Sequence, residues 1–269
     1  PGVLASDMWS TVKTPAIVLT SYPWREADRR YTALTPLDGK LEFQGRGAQK
    51  PRAKLASHLE PFAVVELEII RGARSTTVIS AERGEAFRNI GEVLEHRLLA
   101  QSLLALVDHA VKPDLADEVL YLDVLEALRF LNTQPALPSG RNALFLGGFL
   151  LRFLKRLGYD IELRHCLSCR DAIVPLCFRW DGGRGGLVCS DCVGKRPTDW
   201  LQARSLEEEV VMLMRFARDA EYAELLRPRL RGDYVQAFTT CVEDVVTYHI
   251  PGSGAAPFCG VFLPELAKT

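Results

Sequence analysis

The sequence predicts an α+β chain of more than one domain: a small five-stranded β-barrel, then a helical domain that carries a four-cysteine hairpin. Three observations predict it. Residues 12 to 81 read as short strands broken by turns, a helical period takes over near Glu82, and four of the seven cysteines fall into two tight pairs.

In the first part, Thr14 to Tyr22 is β-branched and apolar, with Pro23 as its stop. Arg30 to Thr35 follows, and Pro36-Leu37-Asp38-Gly39 supplies turn chemistry before Lys40 to Gln44. Phe62 to Ile70 and Ser75 to Ser80, joined by Arg71-Gly72-Ala73-Arg74, complete five strands, which fit a closed barrel of the OB or SH3-like kind. The expected first domain is 1–81 and the second 82–269.

From Glu82, Phe87, Ile90, Leu94 and Leu98 recur at helical spacing, and Leu99, Leu103, Leu106 and Ala110 continue the stripe to Pro113. Asp114 is the expected N-cap of a second helix carrying Val119, Leu122, Leu125 and Leu128. After a loop at 134–140, Asn142 to Leu157 reads as a helix apolar on most sides, central to the bundle and stopped by Gly158. Ser205 with Glu208 has the form of a capping box, and a last helix runs from Asp233 to His249.

Between these helices lie Cys166-Leu-Ser-Cys169 and Cys189-Ser-Asp-Cys192. The 19 residues between them, 170 to 188, suffice for a hairpin: Leu176 to Trp180 out, a glycine-rich turn at 181–186, and Leu187-Val188 back. Four thiolates brought together this way form the closed coordination sphere of a structural zinc, in a hairpin spanning 164–194. Two disulfides or four unrelated buried thiols are the competing readings, and nothing marks the chain as secreted. Cys177, Cys241 and Cys259 read as small buried residues, Cys177 being also a competing ligand, and His165 as a neighbour of the site.

The chain has 269 residues, 48% of them hydrophobic, and a net charge of −1, so it can bury a core but has no global basic signature. Its start, Pro1-Gly2-Val3-Leu4, has no Met, basic region or long apolar run and reads as a processed or vector-derived end. No apolar run approaches a membrane span, and the expected setting is the cytoplasm. Enzyme motifs are missing: no G-x-x-x-x-G-K-[ST], no H-E-x-x-H, no G-x-S-x-G. His58-Leu59-Glu60 has the H-x-E form of zinc deaminases, but the cysteine pair comes about a hundred residues later without the preceding Pro, leaving a zinc deaminase or hydrolase as a remote alternative.

One local charge cluster stands out. Arg46, Lys50, Arg52 and Lys54 lie between Gln44 and His58 without a carboxylate, Arg25, Arg29 and Arg30 lie near the first turn, and Arg71 and Arg74 flank the last hairpin. Such cations can track a phosphate backbone, with Tyr22, Trp24, Tyr31 and Phe43 as candidate stacking partners for bases; the alternative is a solvated loop that protects a barrel edge, in a zinc-bearing scaffold that binds only proteins. Arg152, Lys155 and Arg156 sit among apolar residues, either as snorkelling stems at a helix C-terminus or as the rim of a pocket for an acidic peptide with a hydrophobic end.

These parts, in this order, resemble the RecO family of bacterial recombination and repair mediators from about residue 13 to 250. Arg25-Glu26-Ala27-Asp28, the run Arg46-Gly-Ala-Gln-Lys50-Pro-Arg52-Ala-Lys54-Leu55 followed by Leu59-Glu60-Pro61-Phe62, Phe153-Leu-Lys-Arg-Leu-Gly-Tyr159 before Cys166, and Gly185-Gly-Leu-Val-Cys189 carry the similarity. Ala53 departs from the Ser common in the family, and the tail from Pro251 lacks its basic end. The resemblance implies an N-terminal OB-fold, a non-catalytic protein that binds single- and double-stranded DNA and anneals complementary strands, and a structural Zn²⁺ not essential to activity. It further implies three protein associations: with RecR, with the C-terminal tail of single-stranded-DNA-binding protein, and in loading RecA. On this reading Arg46, Lys50, Arg52 and Lys54 meet phosphates, Arg25, Arg29, Arg71 and Arg74 assist, and Arg152, Lys155 and Arg156 receive the peptide tail.

Overall fold

The computed structural model of the chain describes residues 10–45, 47–50, 58–59, 62–71 and 76–252. The chain divides into two compact units, Pro1–Pro135 and Ala136–Thr269. No helix among the described residues is long and apolar enough to cross a membrane.

The first unit begins with five antiparallel strands, β1 (Ser10–Trp24), β2 (Asp28–Thr35), β3 (Gly39–Gly45), β4 (Ala63–Arg71) and β5 (Thr76–Ala86), in the order β3-β2-β1-β4-β5. β1 pairs with β4 through Ser10 to Ile17 and with β2 through Ile17 to Trp24. The two ends of this order, β3 and β5, come back into contact and close the OB-fold barrel. Inside it the period-two face of each strand is buried: Tyr31 and Ala33, Leu41 and Phe43, Val65, Leu67 and Ile69. Tyr31 and Phe43 stack at 5.5 Å between ring centroids and belong to this core, so neither offers a face to a base.

Two strand boundaries differ from expectation. β1 runs on through Pro23, opposite Arg29, because β4 has left that stretch of β1 and a nitrogen facing away from β2 has no ladder partner to supply. β5 continues to Ala86 where the composition suggests helix: Ala81, Glu82, Arg83 and Ala86 pair with Leu67, Glu66, Val65 and Ala63 of β4, and that pairing overrides propensity. In the β2–β3 turn Gly39 has φ +68°, and a Cβ there would lie 2.3 Å from the Leu115 carbonyl oxygen, so only glycine fits.

Among the described residues three further helices belong to this unit: α1 (Arg88–Glu92), α2 (Leu94–Ala110) and α3 (Glu118–Thr133). Extended backbone at Val93 resets the helical phase between α1 and α2. Phe87, Ile90, Leu99, Leu103 and Leu106 are therefore buried while Leu94 and Leu98 are exposed. Asp117, not Asp114, caps α3, its Oδ1 accepting from the Leu120 amide at 2.9 Å; Asp114 has a left-handed φ of 59°. That start aims Leu120, Tyr121, Val124 and Leu128 inward and leaves Val119 and Leu122 exposed.

Polar contacts tie α2 to the barrel. Lys40 Nζ, 8% exposed, donates to the Asp108 carbonyl at 2.6 Å and lies 3.6 Å from its carboxylate. Thr20 Oγ1 donates to Asp108 Oδ2 at 3.0 Å and lies 2.8 Å from Thr32 Oγ1.

In the second unit α4 (Ser139–Arg156) packs between α6 (Glu208–Asp219) and α7 (Gly232–His249), with β6 (Phe178–Asp181), β7 (Gly186–Cys189) and the short α5 (Ser190–Lys195) between α4 and α6 in sequence. Adjacent glycines let both neighbours approach α4: a Cβ at Gly147 would meet the Phe238 ring at 2.4 Å, and one at Gly148 the Ala217 carbonyl at 2.6 Å. α4 ends in a Schellman motif, Tyr159 N–H donating to Leu154 O and Gly158 N–H to Lys155 O, with Gly158 at φ +91°. The Ser205 capping box does not form, since α6 begins at Glu208 with Glu207 as its cap residue and no side-chain cap.

Replacing Asp108 by Ala leaves a buried ammonium without its carboxylate and should lower unfolding free energy by about 2 kcal/mol, read from denaturant melts. His96 on α2 is fully buried, and burial lowers its pKa below the ordinary 6.5, the Pro135 carbonyl and Glu95 opposing without prevailing. Its neutral form therefore stabilises the fold above the unfolded value, and that contribution is lost as pH falls from 6.5 toward the lower folded value. Melts over that interval should show a steeper acid loss for the wild type than for His96→Leu.

Candidate metal centre and nucleic-acid interface

The second unit holds the four-cysteine site. Cys166 and Cys169 stand on a turn closed by Arg170 N–H to Cys166 O at 3.0 Å and by Cys166 N–H to Asp171 O at 2.8 Å, with Arg170 at φ 66°. Leu167 N–H donates to Leu187 O at 2.8 Å and Leu187 N–H to Glu162 O at 3.0 Å, which sews this turn to β7. β7 delivers Cys189 opposite Phe178, and α5 places Cys192 one turn further on. Strand β6 begins at Phe178, later than expected, because Leu176 is 82% exposed at φ 63°.

The four Sγ atoms all lie within 4.8 Å of one another, and Cys169 Sγ is 3.9 Å from Cys189 Sγ. A tetrahedron of thiolates at ordinary zinc distances has an edge of about 3.8 Å, so the donor set fits such a cation. Amides also point at sulfur, Cys189 N–H at 3.3 Å and Ser168 N–H at 3.4 Å from Cys166 Sγ. Burial alone would push the Cys166 thiol up, but amides of Cys189, Cys169 and Ser168 favour its thiolate and bring it down to about 6. The Asp171 amide favours a Cys169 thiolate, yet local desolvation, the Asp171 side chain and the sulfurs of Cys166 and Cys192 outweigh it and push that thiol up to about 12. Burial and the sulfurs of Cys192 and Cys166 raise Cys189 too, against the Cys192 amide and the Cys169 sulfur. One negative sulfur is thus favoured and its neighbours resist joining it, which a shared cation reverses.

Among the described residues no other group of His, Cys, Asp or Glu has this spacing. Cys177 is exposed rather than buried and stands outside the group, because it precedes β6. Cys241 is buried, and burial pushes its thiol up to about 12. Cys259 and Glu60 lie outside the described residues, and His58 and His165 are not part of the sulfur group. Val188, Trp200 and Ala203 pack around Cys166 and Cys192, while Arg204 exchanges backbone hydrogen bonds with Trp180 and meets Asp244 of α7 at 2.5 Å.

The barrel holds the cationic candidates. Asp28 Oδ1 accepts from the Gly47 amide at 2.7 Å and Oδ2 from Gln44 Nε2 at 2.6 Å. Gln49 donates to the Ala27 and Asp28 carbonyls at 2.9 and 2.6 Å. The segment after β3 is thereby fastened to the β1–β2 turn, so exposed Lys50 and exposed Arg25 share one end of the barrel. Arg29 is half-buried and donates to Ser21 Oγ at 3.0 Å. Arg46, Arg52, Lys54 and Arg74 lie outside the described residues, and Arg71 is described only as the backbone end of β4. In the sequence Asp28 stands out only as part of Arg25-Glu26-Ala27-Asp28, and its anchoring role comes from donors on β3 and the segment after it.

On α4, Arg152 Nη1 donates to the Ala220 carbonyl at 2.7 Å and the guanidinium lies 4.3 Å from the Tyr222 ring centre. Lys155 is 3.8 Å from Asp160, and Arg156 is exposed.

Two family models match the chain, "Recombination protein O N terminal" over residues 8–86 and "Recombination protein O C terminal" over 92–252. A DNA repair protein RecO from Syntrophomonas wolfei is 30% identical over 67% of this chain and 70% of its own length. Another from Roseiflexus is 29% identical over 81% of this chain and 80% of its own.

Removing the metal with a strong chelator, or replacing Cys166 by Ser, should open the 162–192 segment to protease while leaving the barrel's β signal intact. Metal analysis beside limited proteolysis checks this, and the loss should amount to several kcal/mol, since cation binding and folding of such a hairpin are one equilibrium.

Proposed function

The chain belongs to the recombination protein O family, and on that premise we propose that it is a non-catalytic mediator of DNA repair and recombination. It binds single- and double-stranded DNA and anneals complementary strands. It works in the cytoplasm with RecR and with the C-terminal tail of single-stranded-DNA-binding protein to help load RecA. The observation that carries the DNA part is the Asp28 clamp, which supports a basic end on an otherwise near-neutral chain by fastening the Lys50 segment beside Arg25.

In this reading Arg46, Lys50, Arg52 and Lys54 meet phosphates, with Arg25, Arg29, Arg71 and Arg74 in support. Annealing then needs no acid, base or nucleophile. A cationic surface that holds two polyanions offsets their repulsion and raises the local strand concentration, so pairing becomes quasi-intramolecular. The cation of the cysteine site is Zn²⁺, chosen by four sulfurs at tetrahedral spacing, and it braces the second unit without touching DNA. Arg152, Lys155 and Arg156 receive the peptide tail, with Arg152 held by the Ala220 carbonyl and both Lys155 and Arg156 exposed.

The test is fluorescence-monitored annealing of complementary strands coated with single-stranded-DNA-binding protein. The chain should accelerate pairing. Arg25→Glu with Lys50→Glu should slow it and lower the salt slope of binding by about one for each phosphate that is no longer neutralised. Unchanged affinity and slope in a variant with Arg46, Lys50, Arg52 and Lys54 all replaced by Ala would remove this assignment.

A further inference from the structure

The outer surface of the β1–β2 ribbon carries groups that the phosphate assignment leaves unused. Tyr22 of β1 stands opposite Arg30 of β2, and Trp24, two residues on, shares their face. The Arg30 guanidinium lies over the Trp24 indole, 3.9 Å from the ring centre. Arg30 is exposed, Tyr22 is 44% exposed and Trp24 is half-buried. On the next strand Gln44 stands opposite Arg30 and reaches Asp28, the carboxylate that anchors Gly47. The row thus ends at the turn where Lys50 and Arg25 are held.

An arginine laid flat on an indole is partly immobilised before any ligand arrives, which lowers the ordering cost of binding. Its plane offers a second face to a base while its edge N–H groups stay free for phosphate oxygen. Bases inside a duplex are stacked on one another and present no face, whereas unpaired bases do, and every base has a π-face, so such a contact ignores sequence. We propose that Tyr22, Trp24 and Arg30 form a stacking platform for the bases of single-stranded nucleic acid, giving the barrel a preference for unpaired strands over duplex. The inference rests on the reading of this barrel end as a nucleic-acid surface.

The experiment compares binding of the full chain to oligothymidine and to an abasic oligodeoxynucleotide of equal length, which carry the same charge with and without bases. The intact chain should bind oligothymidine about tenfold more tightly, the size of one base stacked on an aromatic group. Trp24→Ala should abolish that difference while abasic affinity and salt slope stay unchanged. Arg30→Lys keeps the charge but loses the plane, and should narrow the difference in a chain whose circular dichroism is unaltered. If Trp24→Ala fails to fold, Arg30→Lys and Tyr22→Ala decide. A full tenfold difference surviving in the folded variants, or equal affinity of the intact chain for both polymers, overturns the platform and leaves the phosphate assignment standing. Binding to neither polymer overturns both.

Discussion

The barrel depends on β1 serving two neighbours in succession, β4 up to Ile17 and β2 from there on. A strand that kept one pair of partners throughout would give an open sheet with two exposed edges. The exchange at Ile17 lets the sheet curl until β3 meets β5, which removes both edges. It also leaves the last stretch of β1, with Tyr22 and Trp24, paired with β2 alone, so that Pro23 is tolerated there, while Arg30 of β2 keeps β3 on its other side. The surface proposed for nucleic acid is in that sense a by-product of closure. Asp28 adds the second half, converting the segment after β3 from a free loop into part of the same end.

The second unit solves a different problem. Four sulfurs within 4.8 Å cannot all be thiolates without a cation, and the opposed displacements of Cys166 and Cys169 express that frustration. The backbone already favours one negative sulfur through the amides of Cys189 and Ser168, so the turn is shaped for a metal before the metal arrives. A site closed by four protein sulfurs has no open position for a water or a substrate, which suits bracing and not hydrolysis.

What the sequence makes legible is whatever depends on neighbours a few residues away. The cysteine pairs, the Gly158 stop and the Pro36–Gly39 turn all carry their chemistry within one or two turns of chain, and each is where the spacing predicts. What fails depends on partners far off. Residues 81–86 look helical until β4 claims them as a strand. Leu94 and Leu98 look like core until Val93 breaks the phase. Asp114 looks like the cap until its left-handed backbone takes it out of the helix start and Asp117 caps α3 instead. Tyr31 and Phe43 are legible after all: strict alternation with Ala33 and Leu41 puts them on the inner face. The Asp28 clamp is not, because its hydrogen-bond donors come from sixteen and nineteen residues ahead.

On the proposed annealing function, charge and the proposed stacking platform divide the work. Cations attract any phosphate chain, duplex or single, and at a net charge of −1 only a local concentration of them attracts anything. Attraction alone would hold a finished duplex as firmly as its separate strands and so trap the product. A grip on base faces is released once those bases pair, since pairing buries them in the stack. Hold through bases therefore weakens as annealing proceeds, while hold through phosphates persists, and the balance lets strands be gathered and the duplex released. Such a balance needs Trp24 and Arg30 on the same barrel end as Lys50, and the register of β1 with β2 together with the Asp28 hydrogen bonds supplies that placement.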